Sequence, residues 1–296
     1  MLTAIVDVGS NTIRLSVFRY AADGSFRPLV SRKIVAGLAG YTEDGKLTER
    51  GEAKLLKCLR EFQLIIEALE TDSVHAFATE SLRRVSNSKE VIARVYEKTG
   101  ITLQLLKGKE EARLSYVGSQ YSSPIEDGIV VDIGGASCEL AQVTKGKLGE
   151  LYSIPVGCLT LSIPSRSFIA PEKQEVKAMK ALIKEQLATA KSLFKEPSNT
   201  LCFVGGTSRA AYRIAREIRP REARTLEPHE VSDIITGLGT WDTEVIQAVR
   251  FAAPERIFTL FAGLLIMQAV IQASEATTLL ISKCGVREGY LIDNII

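Results

Sequence analysis

Two stretches of the chain end an apolar run with aspartate and follow it with glycine. Asp7-Val8-Gly9-Ser10-Asn11-Thr12-Ile13-Arg14-Leu15 and Asp132-Ile133-Gly134-Gly135-Ala136-Ser137-Cys138-Glu139-Leu140 align at an offset of 125 residues. A carboxylate at the end of a buried strand is costly unless it is hydrated, hydrogen-bonded or bound to a metal. The glycines let the chain turn tightly and bring backbone N–H groups close to a ligand. Successive amides in such a turn form an anion-binding concavity. Gly9, Ser10, Asn11 and Thr12 in one turn, and Gly134, Gly135 and Ser137 in the other, are therefore expected to hold phosphate. Asp7 and Asp132 would serve Mg²⁺, which takes oxygen ligands and keeps several waters. One such turn alone reads best as an ordinary β-turn. Two in register, each heading a similar segment, read as a clamp on a phosphate chain.

A third glycine turn fits the same chemistry. Val204-Gly205-Gly206-Thr207-Ser208-Arg209 runs from an apolar strand into a helix, so the free amides of a helix start lie beside Gly206 and Thr207. Cys284-Gly285-Val286-Arg287-Glu288-Gly289 is a weaker relative with Arg287 as a phosphate-facing cation. Gly40-Tyr41-Thr42-Glu43-Asp44-Gly45-Lys46-Leu47 mimics a P-loop, but it ends in Leu where a metal-binding hydroxyl is needed and carries two acids. It is rejected. In Gly108-Lys109-Glu110-Glu111-Ala112, adjacent residues at a helix start point about 100° apart, so one of the two acids at most can serve a site.

The elements that would position these groups repeat along the chain. Apolar, β-branched runs at Ala4–Val8, Ile13–Tyr20 and Phe26–Val35 predict three strands, with Asp23-Gly24 as a hairpin turn. Leu55, Leu59, Phe62, Ile66 and Leu69 recur at helical spacing. A strand is expected at Val74–Ala78, where His75 reads as a packed residue. A helix at Val91–Lys98 would be opened by a capping box from Asn87 and Glu90 and stopped by Gly100. Ile101–Leu106 is a further strand. Tyr121-Ser122-Ser123-Pro124-Ile125-Glu126-Asp127-Gly128 has linker composition, and the pattern then restarts. Strands are expected at Ile129–Asp132, Cys138–Val143, Leu148–Ile154, Leu201–Val204 and Thr278–Ser282. Helices are expected after Pro171, at Thr207–Ile218, and over about 228–237, 242–251 and 256–273. The fold class is α/β: two similar lobes, 1–124 and 125–296, each a mixed sheet with flanking helices, facing across a central cleft. The last residues, Tyr290–Ile296, are expected to pack back on the first lobe.

Composition narrows the function. Among 296 residues, 37 Lys+Arg oppose 35 Asp+Glu, a net charge of +2, which argues against a dedicated nucleic-acid binder. Five well-separated cysteines with no CxxC pair predict reduced thiols and a cytoplasmic protein. The N-terminus has no basic leader, and the most apolar stretch, Ile257–Ala273, is too short and too polar to span a bilayer.

Taken in order, these motifs resemble the exopolyphosphatase / guanosine pentaphosphate phosphohydrolase family, within the actin-like, ribonuclease H-like superfold. The resemblance rests on Ala4–Leu15, Ala78-Thr79-Glu80-Ser81-Leu82-Arg83 with Asn87, Gly108–Leu114, Val131–Leu140, Pro155-Val156-Gly157-Cys158-Leu159-Thr160-Leu161, Gly205-Gly206-Thr207 and Gly285–Gly289. It implies hydrolysis of a terminal phosphoryl group, from inorganic polyphosphate or from the 5′-phosphate of guanosine pentaphosphate. It implies Glu111 as the general base, Asp132 and Glu139 as ligands of Mg²⁺ or Mn²⁺, and Arg83 as a phosphate ligand. Arg14 aligns with Glu139 in the repeat, which suggests a cation in one lobe where the other has an acid. The chain departs from the family pattern at Ala136, Cys138, Lys107 and Phe258, and it resembles the short members. Competing readings are an ATP-using kinase or chaperone ATPase of the same superfold, and a non-catalytic sensor of polyphosphate or guanosine tetra- or pentaphosphate. A homodimer through the apolar helices of the second lobe is a further expectation. No nucleic acid or membrane partner is expected.

Overall fold

The computed structural model describes residues 1–165 and 169–296. Its contacts divide the chain into two units, Met1–Glu111 with Tyr290–Ile296, and Ala112–Gly289.

In the first unit the strands β1 (Leu2–Val8), β2 (Thr12–Tyr20) and β3 (Phe26–Val35) form an antiparallel meander. A small hairpin, β4 (Thr42–Glu43) and β5 (Lys46–Leu47), takes up the rejected P-loop mimic. There follow α1 (Glu49–Ala68), β6 (Ser73–Ala78), α2 (Glu80–Arg83), α3 (Ser88–Thr99), β7 (Leu103–Leu105) and α4 (Gly108–Ser122). β6 and β7 add parallel to β1, giving the order β3-β2-β1-β6-β7. Leu55, Leu59, Phe62 and Ile66, all on α1, bury one stripe against this sheet. The N-terminal cap expected of Asn87 is not made. Its side chain instead accepts from the Leu47 amide and donates to the Leu47 carbonyl, both at 3.0 Å, tying α3 to the small hairpin. His75 lies half-buried on β6 with its ring 5.8 Å from that of Tyr290, and burial lowers its pKa.

The second unit repeats the plan. Its elements are β8 (Gly128–Ile133), β9 (Cys138–Thr144), β10 (Lys147–Ile154), α5 (Cys158–Ser162), α6 (Lys173–Leu187), β11 (Thr200–Val204), α7 (Gly205–Ile218), β12 (Thr225–Leu226), α8 (Pro228–Thr240), α9 (Thr243–Ala252), α10 (Leu260–Ser274), β13 (Thr278–Ile281) and α11 (Val286–Asn294). The sheet order is β10-β9-β8-β11-β13-β12: again a meander, then two parallel strands, with β12 added antiparallel at the edge. Lys145 and Gly146 both have positive φ (51° and 70°) and close the β9–β10 hairpin.

Two helix starts differ from expectation. α6 begins at Lys173, not at Pro171, because Glu172 and Glu175 form the capping box. The predicted helix over 256–273 is split: Pro254–Arg256 is a 3₁₀ turn, and α10 starts only at Leu260.

Helix side chains from α6, α7, α8 and α10 bury one face of this sheet, with Ile129, Val131, Ile133, Cys138 and Leu140. Val130, Ala141 and Val143 face the other side, with Tyr116 of α4. No helix among the described residues is long and apolar enough to cross a membrane.

An ion pair fastens the edge of this unit. Both terminal nitrogens of Arg221 donate to the Glu230 carboxylate on α8, one at 2.7 Å, and the Glu227 amide donates to it at 2.9 Å. Burial pushes the Glu230 carboxyl up, but these bonds outweigh it and hold its pKa below 4.5. A lowered folded-state value stabilises above the unfolded pKa and is lost as pH falls through the folded one. Glu230→Gln is therefore expected to cost about 1–3 kcal/mol at neutral pH. The gap between wild-type and variant unfolding midpoints should stay constant down to about pH 5 and close in stronger acid. A gap independent of pH would overturn this account.

Candidate functional site

The two aspartate-glycine turns are built alike. The Gly9 amide donates to the Thr12 carbonyl at 3.1 Å and the Gly134 amide to the Ser137 carbonyl at 2.9 Å. In both turns the chain packed beneath takes the carbonyls. Asn11 accepts from the amides of Ala36 and Gly37, and Ser10 from that of Ala39. Gly134 accepts from Cys158, and Gly135 from Leu159 and Thr160. The amides of Ser10, Asn11, Gly135 and Ala136 donate to nothing among the described residues. Both loops thus offer open amide donors while four of their carbonyls are already satisfied, the polarity an anion needs.

Strand register then separates the two. Asp7 stands opposite Arg14, and Asp132 stands opposite Glu139. Directly opposed residues of an antiparallel pair share a face. One hairpin therefore presents an acid beside a base, the other two carboxylates together. Arg14 also donates through Nε to the Thr12 hydroxyl at 3.3 Å. In the second hairpin serine hydroxyls hold both acids: Ser115 donates to Asp132 Oδ2 at 2.8 Å, and Ser153 to Glu139 Oε1 at 2.7 Å. Ser115 lies on α4, whose position is set where it crosses α11. A side-chain carbon on Gly118 would strike the Gly285 carbonyl, and one on Gly289 the Leu114 carbonyl, so these helices meet backbone to backbone.

The departure at Cys138 falls outside this chemistry. Residues alternate along a strand, so Cys138 points to the opposite face from Glu139. It is fully buried in the core, and burial, with the Glu139 and Asp132 charges, raises its pKa well above the usual thiol value.

Glu111 is one turn ahead of Ser115 on α4, and only 8% of it is exposed. Arg83 fixes it. The guanidinium donates to Glu111 at 3.1 Å, to the Leu106 carbonyl at 2.9 Å and, through Nε, to Glu80 at 2.7 Å. Arg83 is thus bonded to two carboxylates and a carbonyl.

Around the third turn the structure adds residues that sequence reasoning missed. Gly205 has φ 93°, and a side-chain carbon there would lie 2.6 Å from Asp132 Oδ1. A carbon on Gly206 would occupy the place of the Arg256 guanidinium. The paired glycines therefore seat an acid on one side and a cation on the other. Arg256 is only 8% exposed, and among the described residues its guanidinium has no hydrogen-bond or ion-pair partner. The buried Thr207 hydroxyl beside it has no oxygen or nitrogen partner either. Arg209 joins them: burial, then the Arg287 charge, lowers its pKa to about 10, against the opposing pull of Glu288 and Asp132. Cations gathered this closely, with the buried Arg256 guanidinium unpartnered among the described residues, call for an anion. Arg256 escaped sequence reasoning because its segment reads as the start of a long helix. Pro254 instead opens a tight 3₁₀ turn that aims the side chain back over Gly206.

Residues 17–295 match the model of the Ppx/GppA phosphatase family. The chain is 28% identical over 308 aligned positions to exopolyphosphatase 1 of Mycobacterium bovis, covering 99% of this chain and 88% of that protein. It is 27% identical to the Mycobacterium leprae enzyme of the same name, covering 99% and 89%. Among solved structures, an Aquifex aeolicus member of the Ppx/GppA family superposes with TM-score 0.80 at 25% identity, covering 100% of this chain and 97% of that one. A Cytophaga hutchinsonii exopolyphosphatase superposes with TM-score 0.88 at 20% identity, covering 100% and 99%, and shares the fold.

Proposed function

The chain belongs to the Ppx/GppA phosphatase family, and from that premise we propose that it releases the terminal phosphoryl group of inorganic polyphosphate by attack of water. The observation that carries the proposal is the buried Arg256 guanidinium beside the Gly205-Gly206 turn, with no ion-pair partner among the described residues. Phosphoryl transfer asks a protein for positioning and charge neutralisation more than for covalent chemistry, and these groups supply both.

In this reading the open amides of the aspartate-glycine turns bind phosphate oxygens, with Ser10, Asn11, Thr12, Arg14 and Ser137 beside them. Arg256, Gly206 and Thr207 take a further phosphate. Glu111 accepts the proton of the attacking water, and Arg83, bonded to it, fixes the direction of its carboxylate. Asp132 and Glu139 are an all-oxygen pair that fits Mg²⁺, a cation satisfied by one or two carboxylates with waters and substrate phosphate. Among the described residues no three His, Cys, Asp or Glu side chains cluster as a ligand set. Asp7 is the remaining carboxylate proposed for this role. When bound, Mg²⁺ would neutralise charge on the transferring group and its bridging oxygen.

The deciding assay measures phosphate release from polyphosphates of several lengths beside guanosine pentaphosphate, with Mg²⁺ and with chelator. Release from polyphosphate, lost on chelation, is the expected result. Binding without turnover of any of these substrates would replace the proposal with a sensor. Consumption of ATP that depends on an acceptor would replace it with a kinase.

A further inference from the structure

Six of the 17 lysines of the chain lie between positions 173 and 195, whereas positions 204–282 contain eight arginines and no lysine. The six are Lys173, Lys177, Lys180, Lys184, Lys191 and Lys195, spaced by four, three, four, seven and four. That spacing keeps Lys173, Lys177, Lys180 and Lys184 on one side of α6, and Lys191 and Lys195 follow past a kink at Ala190. α6 buries Met179, Ile183 and Leu187, and the 3₁₀ turn Ala188–Phe194 that extends it buries Ala190. Lys180, Lys184 and Lys191 each follow one of these buried residues, so they stand at the edge of the packed face. There they line a groove of about 600 Å³ whose far wall is α10, with Gln268 and Gln272. All six lysines are exposed, and none forms an ion pair among the described residues. Four acids lie among them: Glu172 and Glu175 are engaged in the capping box, and the exposed Glu185 and Glu196 directly follow Lys184 and Lys195.

We propose that this lysine ridge binds the unreacted length of an inorganic polyphosphate chain, as a site additional to the reacting centre. The inference rests on the function proposed above. The lysines run beyond the groove at both ends, Lys173 and Lys177 one way along α6 and Lys195 the other way past the kink, which suits a long linear polyanion better than a partner confined to the groove. Lysine offers a compact charge on a flexible stem with three rotatable donors. It can follow phosphates without a fixed geometry, whereas the reacting centre is built from arginines. An exposed track of this kind attracts by charge, so its contribution falls with added salt.

The test is direct binding of long-chain polyphosphate and of tripolyphosphate, across a series of salt concentrations, to the wild-type protein and to K180Q/K184Q/K191Q. We expect the variant to bind the long chain about tenfold more weakly at low salt. Its slope of log affinity against log salt should be shallower by roughly 2, at about 0.7 per lost contact for a single-stranded polyanion. Tripolyphosphate binding should be unchanged, and K180R/K184R/K191R should restore the long chain. An unchanged slope, an equal loss with tripolyphosphate, or failure of the arginine variant to rescue would overturn the ridge. So would an acidic amphipathic peptide that saturates the groove without displacing the long chain. Because binding is read without turnover, the two claims fail separately. A protein that holds long chains through these lysines yet releases no phosphate would remove the proposed function and keep the ridge.

Discussion

Glu111→Gln should lower the rate of phosphate release from polyphosphate by about 10²–10⁴, the range a well-placed general base contributes. The substitution keeps the shape and an oxygen that can accept from Arg83, so the buried contact among Arg83, Glu80 and Glu111 has no reason to open. Substrate binding, read as the rise in unfolding temperature on adding polyphosphate, should stay near the wild-type value. The combination matters more than either number. A loss of rate with intact binding assigns Glu111 to the chemical step. A variant within tenfold of wild type would remove it from that role, and a variant that no longer binds would make it a binding residue instead.

Arg256→Met should have two opposite effects. The guanidinium is buried with no carboxylate partner among the described residues, and replacing a poorly compensated buried charge by an apolar side chain of similar length is neutral or stabilising, by up to about 4 kcal/mol. The unliganded variant should therefore melt at the same temperature as wild type or higher. Removal of a charge aimed at a phosphate costs the energy of a charge-assisted hydrogen bond, about 1.5–3 kcal/mol or more in a desolvated site, so binding should weaken by at least tenfold. Thermal unfolding with and without polyphosphate reads both effects in one experiment. A variant that melts lower and still binds would show that Arg256 is structural and that the reading of the third turn is mistaken.

Much of this site was legible in the residues. The offset of 125 positions between the two aspartate-glycine turns reappears as two sheets with the same meander and the same parallel additions, because strand periodicity and turn glycines are local signals. The register even preserves the exchange of Arg14 for Glu139. What could not be read was whatever depends on distant packing. Asn87 has the type and spacing of a helix cap, yet it bonds β5, forty residues earlier in the chain. Arg256 lies in a stretch whose apolar period says helix, and only the Pro254 turn brings it to Gly206. Gly285 and Gly289 stand out as a glycine turn with a phosphate-facing Arg287, but that they also let α11 meet α4 at Gly118 could not be read, since a close approach between helices leaves only an absence of side chain to be noticed.

The alternation along β9 has a consequence for how this chain can vary in length. Cys138 lies in the oily interior and Glu139 faces the acid opposite it, and the two differ by one step. Deleting or inserting a single residue between Ile133 and Cys138 would exchange them, turning a carboxylate into hydrocarbon and a thiol toward Asp132, along with every later side chain of the strand. At the other end of β9, Lys145 and Gly146 form a surface turn, where an added residue would only lengthen a loop. Tolerance to indels should therefore be lopsided within one short strand, nil at the head of β9 and ample at its tail.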